Sequence, residues 1–340
     1  MNKVNVTIKD IAAELNIAPS TVSRALKDHP DISPETKKLV NQLAEKWNYR
    51  PNPIALSLKG GSTNTMGVIV PEIVHYFFST VISGIEDYAN EKGYNVIVCQ
   101  SKESYEGEVA SLRTLINSRV DGILVSIAKL SRNMEHFHEL RRKDIPVVFF
   151  DRVCEEVESD KVTVDDEEGA YNAVKHMILE GRKRIVHLSG PPNLLIAKGR
   201  IDGYIRALNE FRIPVSEENI VKCDVREEAE WIIPSLLRRN PRPDAFFAVN
   251  DFTAAQTLKI VKKNGFTVPG DIAIVGFTNG QLAGLTDPGL TSVDQHGYEM
   301  GQESARLLIE RIKDPSRPFQ RRVIRTELIV RGSTEAGNTN

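Results

Sequence analysis

Ser20, Thr21, Ser23 and Arg24 place three hydroxyls and a guanidinium within five residues near the start of this 340-residue chain. Such groups bond phosphate oxygens and base edges, and the arginine fork suits guanine. They follow a tight turn, Asn16-Ile17-Ala18, between two helical patterns. That arrangement carries one helix into a major groove, although a generic three-helix bundle also fits the pattern. Catalytic chemistry has no comparable footing: GxxxxGK[ST], a strand-following GxGxxG, HExxH and GxSxG are all missing from the sequence. Gly190-Pro191-Pro192 to Lys198 lacks both the spacing and the Gly-Lys-Ser/Thr end of a phosphate loop. His136 and His138 lie two apart, on different faces of any helix, which is unsuited to a metal pair. The histidines are therefore expected on the surface, and neither an enzyme, a metal nor a cofactor is implied.

Three short helices must position the hydroxyls and the arginine, because no alternating strand pattern occurs in the first 60 residues. Thr7 caps the first, with Asp10 completing a variant capping box and Ile8, Ile11, Ala12 and Leu15 on one face. The second runs from about Pro19 to Lys27, with proline at its first position and Val22, Ala25 and Leu26 inward. Ser33-Pro34-Glu35 opens the third, whose inner face is Leu39, Val40, Leu43, Ala44 and Trp47, and Asn48 is a left-handed stop. Arg50-Pro51-Asn52-Pro53 then breaks the pattern. Asn52 can cap a piece from Ile54 to Lys59, far shorter than the roughly 12 to 15 residues an isolated helix needs, so residues 53–59 are expected to order only against a partner. Gly60-Gly61-Ser62-Thr63-Asn64 is a flexible linker.

From Met66 the texture changes to apolar strand runs at 66–71, 94–99, 120–127, 146–151, 184–189, 245–250 and 272–278, most followed by helical stretches. That alternation implies buried parallel sheets with helices on both faces. Roughly 270 residues exceed one compact sheet, which predicts two doubly wound lobes with a cleft between them and a chain that crosses more than once. Leu290 to Gln295, a helix from about Tyr298 to Ile312 and a strand pair around Val323 to Val330 return to complete both lobes. The 41% hydrophobic and 26% charged composition, with no apolar run of membrane-spanning length, excludes membrane and largely disordered classes. Without a secretory signal and with only Cys99, Cys154 and Cys223, none in CxxC spacing, a cytoplasmic setting is expected. Residues 1–61 carry nine Lys/Arg against six Asp/Glu, and the remainder 35 against 40, so a modestly basic head tops an acidic body.

The stretch TIKDIAAELNIAPSTVSRALKDHPDISPETKKLVNQLAEKWNYRPNPIALSLKGGST resembles, in order and spacing throughout, the head of the lactose-repressor (LacI/GalR) family. The resemblance implies base contacts from Pro19, Ser20 and Arg24. Pro19 offers only apolar contact, leaving hydrogen-bonded discrimination to Ser20 and Arg24. Ala18 stands where many members have a capping serine, which removes one phosphate contact, while Thr7, Thr21, Ser33 and Asn52 remain candidates for the DNA backbone. In the family two hinge helices pair and drive a leucine into the minor groove at the operator centre. The matching residue is Leu58, with Ile54 and Ala55 on the pairing side, and the competing reading has Leu56 and Leu58 docked against the body.

The body resembles periplasmic sugar-binding proteins, which implies an effector in the cleft at the strand carboxyl ends. By position in the family pattern the candidates are Phe77, Phe78, Asp151, Arg152, Arg200, Asn250, Asp251, Thr278 and Gln295. Phe77 and Phe78 also suit a core, Asp251 a helix cap, and Arg152 a surface pair with Glu155 or Glu156. The family places an arginine at the position of Arg200 into the cleft. Thr278 replaces a frequent aspartate and Gly297 an aromatic of some members, so the ligand is expected to be a sugar or sugar phosphate without closer identity. The expected organisation is a helix-turn-helix head (1–51), hinge and linker (52–65), an α/β periplasmic-binding-protein-like body (66–334) and a polar tail (335–340). Within the body the first lobe comprises 66–163 and 296–322, and the second 164–295 and 323–334. The implied function is a repressor of a palindromic operator on double-stranded DNA. The chain ends soon after LIVRGST, without the extra helix that makes tetramers in the lactose repressor, so a homodimer is expected, with induction and corepression both open. The rival reading is a sugar-binding or sugar-modifying protein whose head does not bind DNA.

Overall fold

A computed structural model describes residues 6–49 and 62–335 in two units, a head and a body. The hinge candidates Asn52, Ile54, Ala55 and Leu58 lie outside the described residues. In the head, α1 (Ile8–Glu14), α2 (Pro19–Ala25) and α3 (Pro34–Lys46) enclose Ile11, Ala12, Val22, Ala25, Val40 and Ala44. Such short helices depend on their ends. The Thr7 hydroxyl accepts from the Asp10 amide, whose carboxylate accepts from the Thr7 amide at 2.9 Å. The Ser33 hydroxyl accepts from the Thr36 amide, and Asn16 and Asn48 supply left-handed stops (φ 51° and 47°). Two expectations are corrected. The second helix ends at Ala25 rather than Lys27, and Leu39 is 55% exposed, because one residue ahead of Val40 is about 100° around the helix, away from the core.

The body alternates strands and helices. Its first half is β1 (Thr65–Val70), α4 (Tyr76–Glu91), β2 (Asn95–Gln100), α5 (Tyr105–Asn117), β3 (Gly122–Val125), α6 (Glu135–Arg142), β4 (Val147–Phe150) and β5 (Asp160–Val164). The second half is α7 (Asp166–Leu179), β6 (Ile185–Ser189), α8 (Leu195–Glu210), β7 (Ile220–Lys222), α9 (Arg226–Leu237), β8 (Ala245–Ala248), α10 (Asp251–Lys263), β9 (Ala273–Thr278), α11 (Gln281–Leu285) and β10 (Thr291–Asp294). The chain then returns through α12 (Gly297–Lys313) and β11 (Arg321–Ile324) to β12 (Glu327–Ile329).

The strands form two six-stranded sheets, β11-β5-β4-β3-β1-β2 and β12-β10-β9-β8-β6-β7, parallel throughout except for the β12/β10 pair. Both faces are covered, so successive strand residues enter different cores. Met66, Val68 and Val70 pack under α4 and α12, whereas Ile69 points to the α5 and α6 side. This two-sided burial is why the strands read as continuous apolar runs.

Sheet membership moves the lobe boundary. Arg321–Ile324 joins the first sheet, parallel to Asp160–Val164, so the last crossing falls between Ile324 and Glu327 rather than after residue 322. The expected strand pair divides accordingly, one strand to each lobe. Strands β5 and β7 have no counterpart among the apolar runs: DKVTV begins with two charged residues and IVK is only three long. Asp160 is nonetheless buried, because Arg311 of α12 pairs with it (Nε to Oδ2, 2.9 Å) and the Gln320 amide donates to its Oδ1.

Three crossings join the lobes: Val164 to Asp166, Asp294 to Gly297 and Ile324 to Glu327. The Thr326 amide donates to Asp165 Oδ1 (2.7 Å), bonding the first crossing to the third, and the His296 amide donates to Asp294 Oδ1 (2.8 Å) in the second. Helices α4 and α12 cross with backbones nearly touching. A Cβ at Gly301 would stand 2.1 Å from the Val81 carbonyl oxygen, and one at Gly84 2.1 Å from that of Tyr298. Alanine ordinarily stabilises a helix relative to glycine by up to about 1 kcal/mol. Here the clash reverses the sign, and Gly301→Ala is expected to destabilise the body by about 1–3 kcal/mol in denaturant unfolding; an unchanged or raised midpoint would rule out the tight crossing.

Candidate functional site

In a doubly wound sheet the carboxyl ends of the strands leave polar backbone open to a ligand. The two lobes turn those ends toward one another across a cavity of about 460 Å³. Residues from both lobes line it, and all nine cleft residues named from the sequence are among them.

Phe77 and Phe78, in the first turn of α4, are buried in the first-lobe core and also present atoms to the cavity. Asp151 follows β4 in a left-handed backbone (φ 58°) that an L-residue adopts only at a cost. Burial pushes its carboxyl from an ordinary 3.8 up to about 6, against the pull of Arg152. The Ser126 hydroxyl at 3.4 Å and Arg152 Nε at 3.9 Å are weak compensation. Arg152 does not pair with Glu155 or Glu156. Its Nη1 donates to both carboxylate oxygens of Glu103 (2.9 and 2.8 Å), while Glu155 binds Lys161 and Arg321.

In the second lobe, Arg200 Nε donates to Asp166 Oδ1 (2.8 Å) and Nη1 to the Val249 carbonyl oxygen (2.6 Å), its guanidinium 3.7 Å over the Phe277 ring. Burial raises the Asp166 carboxyl although Arg200 opposes it. Asn250, not Asp251, caps α10, its side chain accepting from the Thr253 amide at 2.8 Å. Asp251 instead accepts from the Gly280 amide (2.7 Å) and the Ser292 hydroxyl, binding the ends of β9 and β10, and burial raises its carboxyl to about 6. Thr278 donates to Gln295 Oε1 at 3.0 Å and holds φ 125°, with Asn279 beside it at φ 55°. Asn279 in turn donates to Asp294 and accepts from Arg331.

Glu103, Lys129 and Asp224 also line the cavity but were missed. The strand-end rule applied to the 120–127 run points toward Lys129. Asp224 follows the unread strand β7, and Glu103 follows β2 in a left-handed turn (φ 55°). Two histidines expected outside are inside. His187 lies between Tyr204 and Phe247, and burial lowers its pKa to about 4, while His136 meets the buried Glu108 at 2.9 Å. Among the described residues no group of three or more His, Cys, Asp or Glu is placed to hold a metal ion.

On the head, Pro19, Ser20 and Arg24 of α2 are exposed and Thr21 is half-buried. Ala18 stands at the N-cap without a side-chain bond, and Arg24 forms no ion pair with any described residue. Thr7 and Ser33 are exposed but already occupied as caps.

Because Asp151 holds its proton more tightly when folded, the folded chain binds more protons between about pH 4 and 6, and stability falls as pH rises through that window. The shift corresponds to about 3 kcal/mol. Asp151→Asn is therefore expected to raise the midpoint of thermal unfolding at pH 7, with the gain shrinking toward pH 4. A gain that stays constant across that range would contradict burial as the cause.

Comparison with known proteins covers both units. Residues 63–332 match the family described as periplasmic binding proteins and sugar binding domain of LacI family, and residues 7–52 match bacterial regulatory proteins, lacI family. The chain is 33% identical over 336 residues to the HTH-type transcriptional repressor PurR of Vibrio atlanticus, covering 98% of this chain and 99% of that protein. It is 34% identical over 307 residues to catabolite control protein A of Priestia megaterium, covering 90% and 92%. Among solved structures, the transcriptional regulator CelR in complex with cellobiose aligns with a TM-score of 0.74 at 27% identity, over 97% of this chain and 100% of that one. The lac repressor dimer bound to operator and the anti-inducer ONPF shares the fold, with a TM-score of 0.86 at 22% identity over 98% and 100%.

Proposed function

This chain belongs to the lacI family of bacterial regulatory proteins, and we propose that it is a ligand-controlled repressor that binds a palindromic operator as a homodimer in the cytoplasm. Membership makes it a DNA-binding transcriptional regulator with a helix-turn-helix head and a ligand-binding body. In our reading Ser20 and Arg24 hydrogen-bond base edges and Pro19 packs against a thymine methyl, while Thr7, Thr21, Ser33 and Asn52 position the head on phosphates. Leu58, with Ile54 and Ala55 on the side that pairs with the partner hinge, wedges into the minor groove at the operator centre.

The observation that carries ligand control is that one cavity takes polar groups from both lobes, Asp151 and Arg152 from one and Arg200, Asn250, Asp251 and Thr278 from the other. A ligand that touches both favours one lobe arrangement, and linkage requires no more than that preference to change operator affinity in either direction. A sugar or sugar phosphate is the ligand class this reading takes, supported by the sugar-binding family match and the cellobiose complex of the structural neighbour CelR.

Selection of genomic fragments followed by gel shifts at rising salt tests the proposal. A palindromic site preference is expected, with affinity falling steeply as salt increases. Arg24→Ala should cost roughly 1–3 kcal/mol on the selected site and relax its sequence. Leu58→Ala should weaken operator binding while ligand affinity holds. A head that serves only for oligomerisation yields neither a preferred site nor a salt slope.

A further inference from the structure

We infer that the cleft accepts an uncharged polyhydroxylated ligand and turns away its phosphate ester, and that the Lys129–Asp224 pair helps to set this preference. The inference rests on the reading of the cleft as a site for a sugar-type ligand.

A phosphate dianion is held most tightly by a cation whose charge is unspent. Among the described residues three Lys/Arg side chains line the cavity, and each already has a carboxylate. Arg152 makes two bonds to Glu103, and Arg200 is bonded to Asp166 with one face covered by Phe277. Lys129 Nζ lies 3.3 Å from Asp224 Oδ2, in a pair that also straps the lobes together. The strap is reinforced from both sides: the Lys129 amide donates to Glu103 Oε2 (2.8 Å), and Asn193 Nδ2 of the second lobe donates to the Lys129 carbonyl oxygen (2.9 Å). In and around the cavity the carboxylates of Glu103, Asp151, Asp166, Asp224 and Asp251 outnumber the cations Lys129, Arg152, Arg200 and Lys222, the last 3.0 Å from Asp224 Oδ1. A dianionic group entering there would meet an excess of negative charge and could recruit a cation only by breaking an existing pair.

The groups left with bonding capacity ask for a hydroxyl. Asp151 is buried and only weakly bonded, and the buried Nε of Arg152, 3.9 Å from its Oδ2, has no hydrogen-bond partner among the described residues. A weakly bonded acceptor beside an unused donor fits a group that donates and accepts at once. A hydroxyl does both. A phosphate oxygen accepts only, and the Asp151 carboxylate would repel it.

Titration calorimetry on the full chain at pH 7.5 tests this with matched pairs: ribose and ribose 5-phosphate, glucose and glucose 6-phosphate, and cellobiose and its phosphate ester. For whichever sugar binds, the neutral member is expected to bind at least ~10-fold tighter than its ester. Asp224→Asn, which keeps the side-chain shape and frees Lys129, should narrow that ratio. An ester that binds as tightly as its neutral partner overturns the inference. A ratio unmoved by Asp224→Asn overturns the part assigned to the Lys129–Asp224 pair. Failure of every sugar, neutral or esterified, to bind overturns the underlying reading of the cleft, a failure distinguishable from the other two.

Discussion

The ion pair between Arg200 and Asp166 is the contact from which the architecture of the body is best understood. Asp166 is the first residue of the helix that follows the first crossing, and Arg200 projects from the neighbouring helix α8. A guanidinium taken out of water needs its donors met. Here they are met by a residue of the crossing, by the Val249 carbonyl at the end of β8 and, across the ring face, by Phe277 of β9. One side chain therefore ties the crossing, two strand ends and the cavity wall into a single arrangement. Removing either partner would leave an uncompensated buried charge, so wall and crossing stand or fall together.

Around that pair the cleft is built at the expense of stability. Asp151, Asp166 and Asp251 are buried carboxyls held above their ordinary range, and Asp151 and Thr278 hold positive φ (58° and 125°). The surrounding sheets, apolar on both faces, hold these residues in place. A site organised in advance loses less freedom when a ligand binds, which is the return for that strain. The head follows the opposite logic. Its helices are seven to thirteen residues long and rest on local caps, with a small apolar core of their own.

Much of this was legible from the residues in order. The capping box at Thr7, the proline-led second helix and the left-handed stops at Asn16 and Asn48 are local, and local chemistry is written in adjacent positions. The apolar runs announced most of the central strands for the same reason. The nine cleft residues came from resemblance to a family, and they line one cavity. Strands β5 and β7 stayed hidden, because a five-residue strand opening on buried Asp160 and Lys161 and a three-residue strand carry too little apolar pattern.

The chain by itself determined the alternation of strands and helices, the helical head and the composition of the strand ends, since each depends on neighbours within a few positions. Only the tertiary structure decided how charge is partnered in the cleft. Glu103 meets Arg152 across 49 positions, Lys129 meets Asp224 across 95, and Asp160 meets Arg311 across 151. No periodicity encodes such pairs. Each forms because burial makes an unpaired charge so costly that the fold must bring a partner to it, and which partner arrives depends on which strand ends the parallel sheets align.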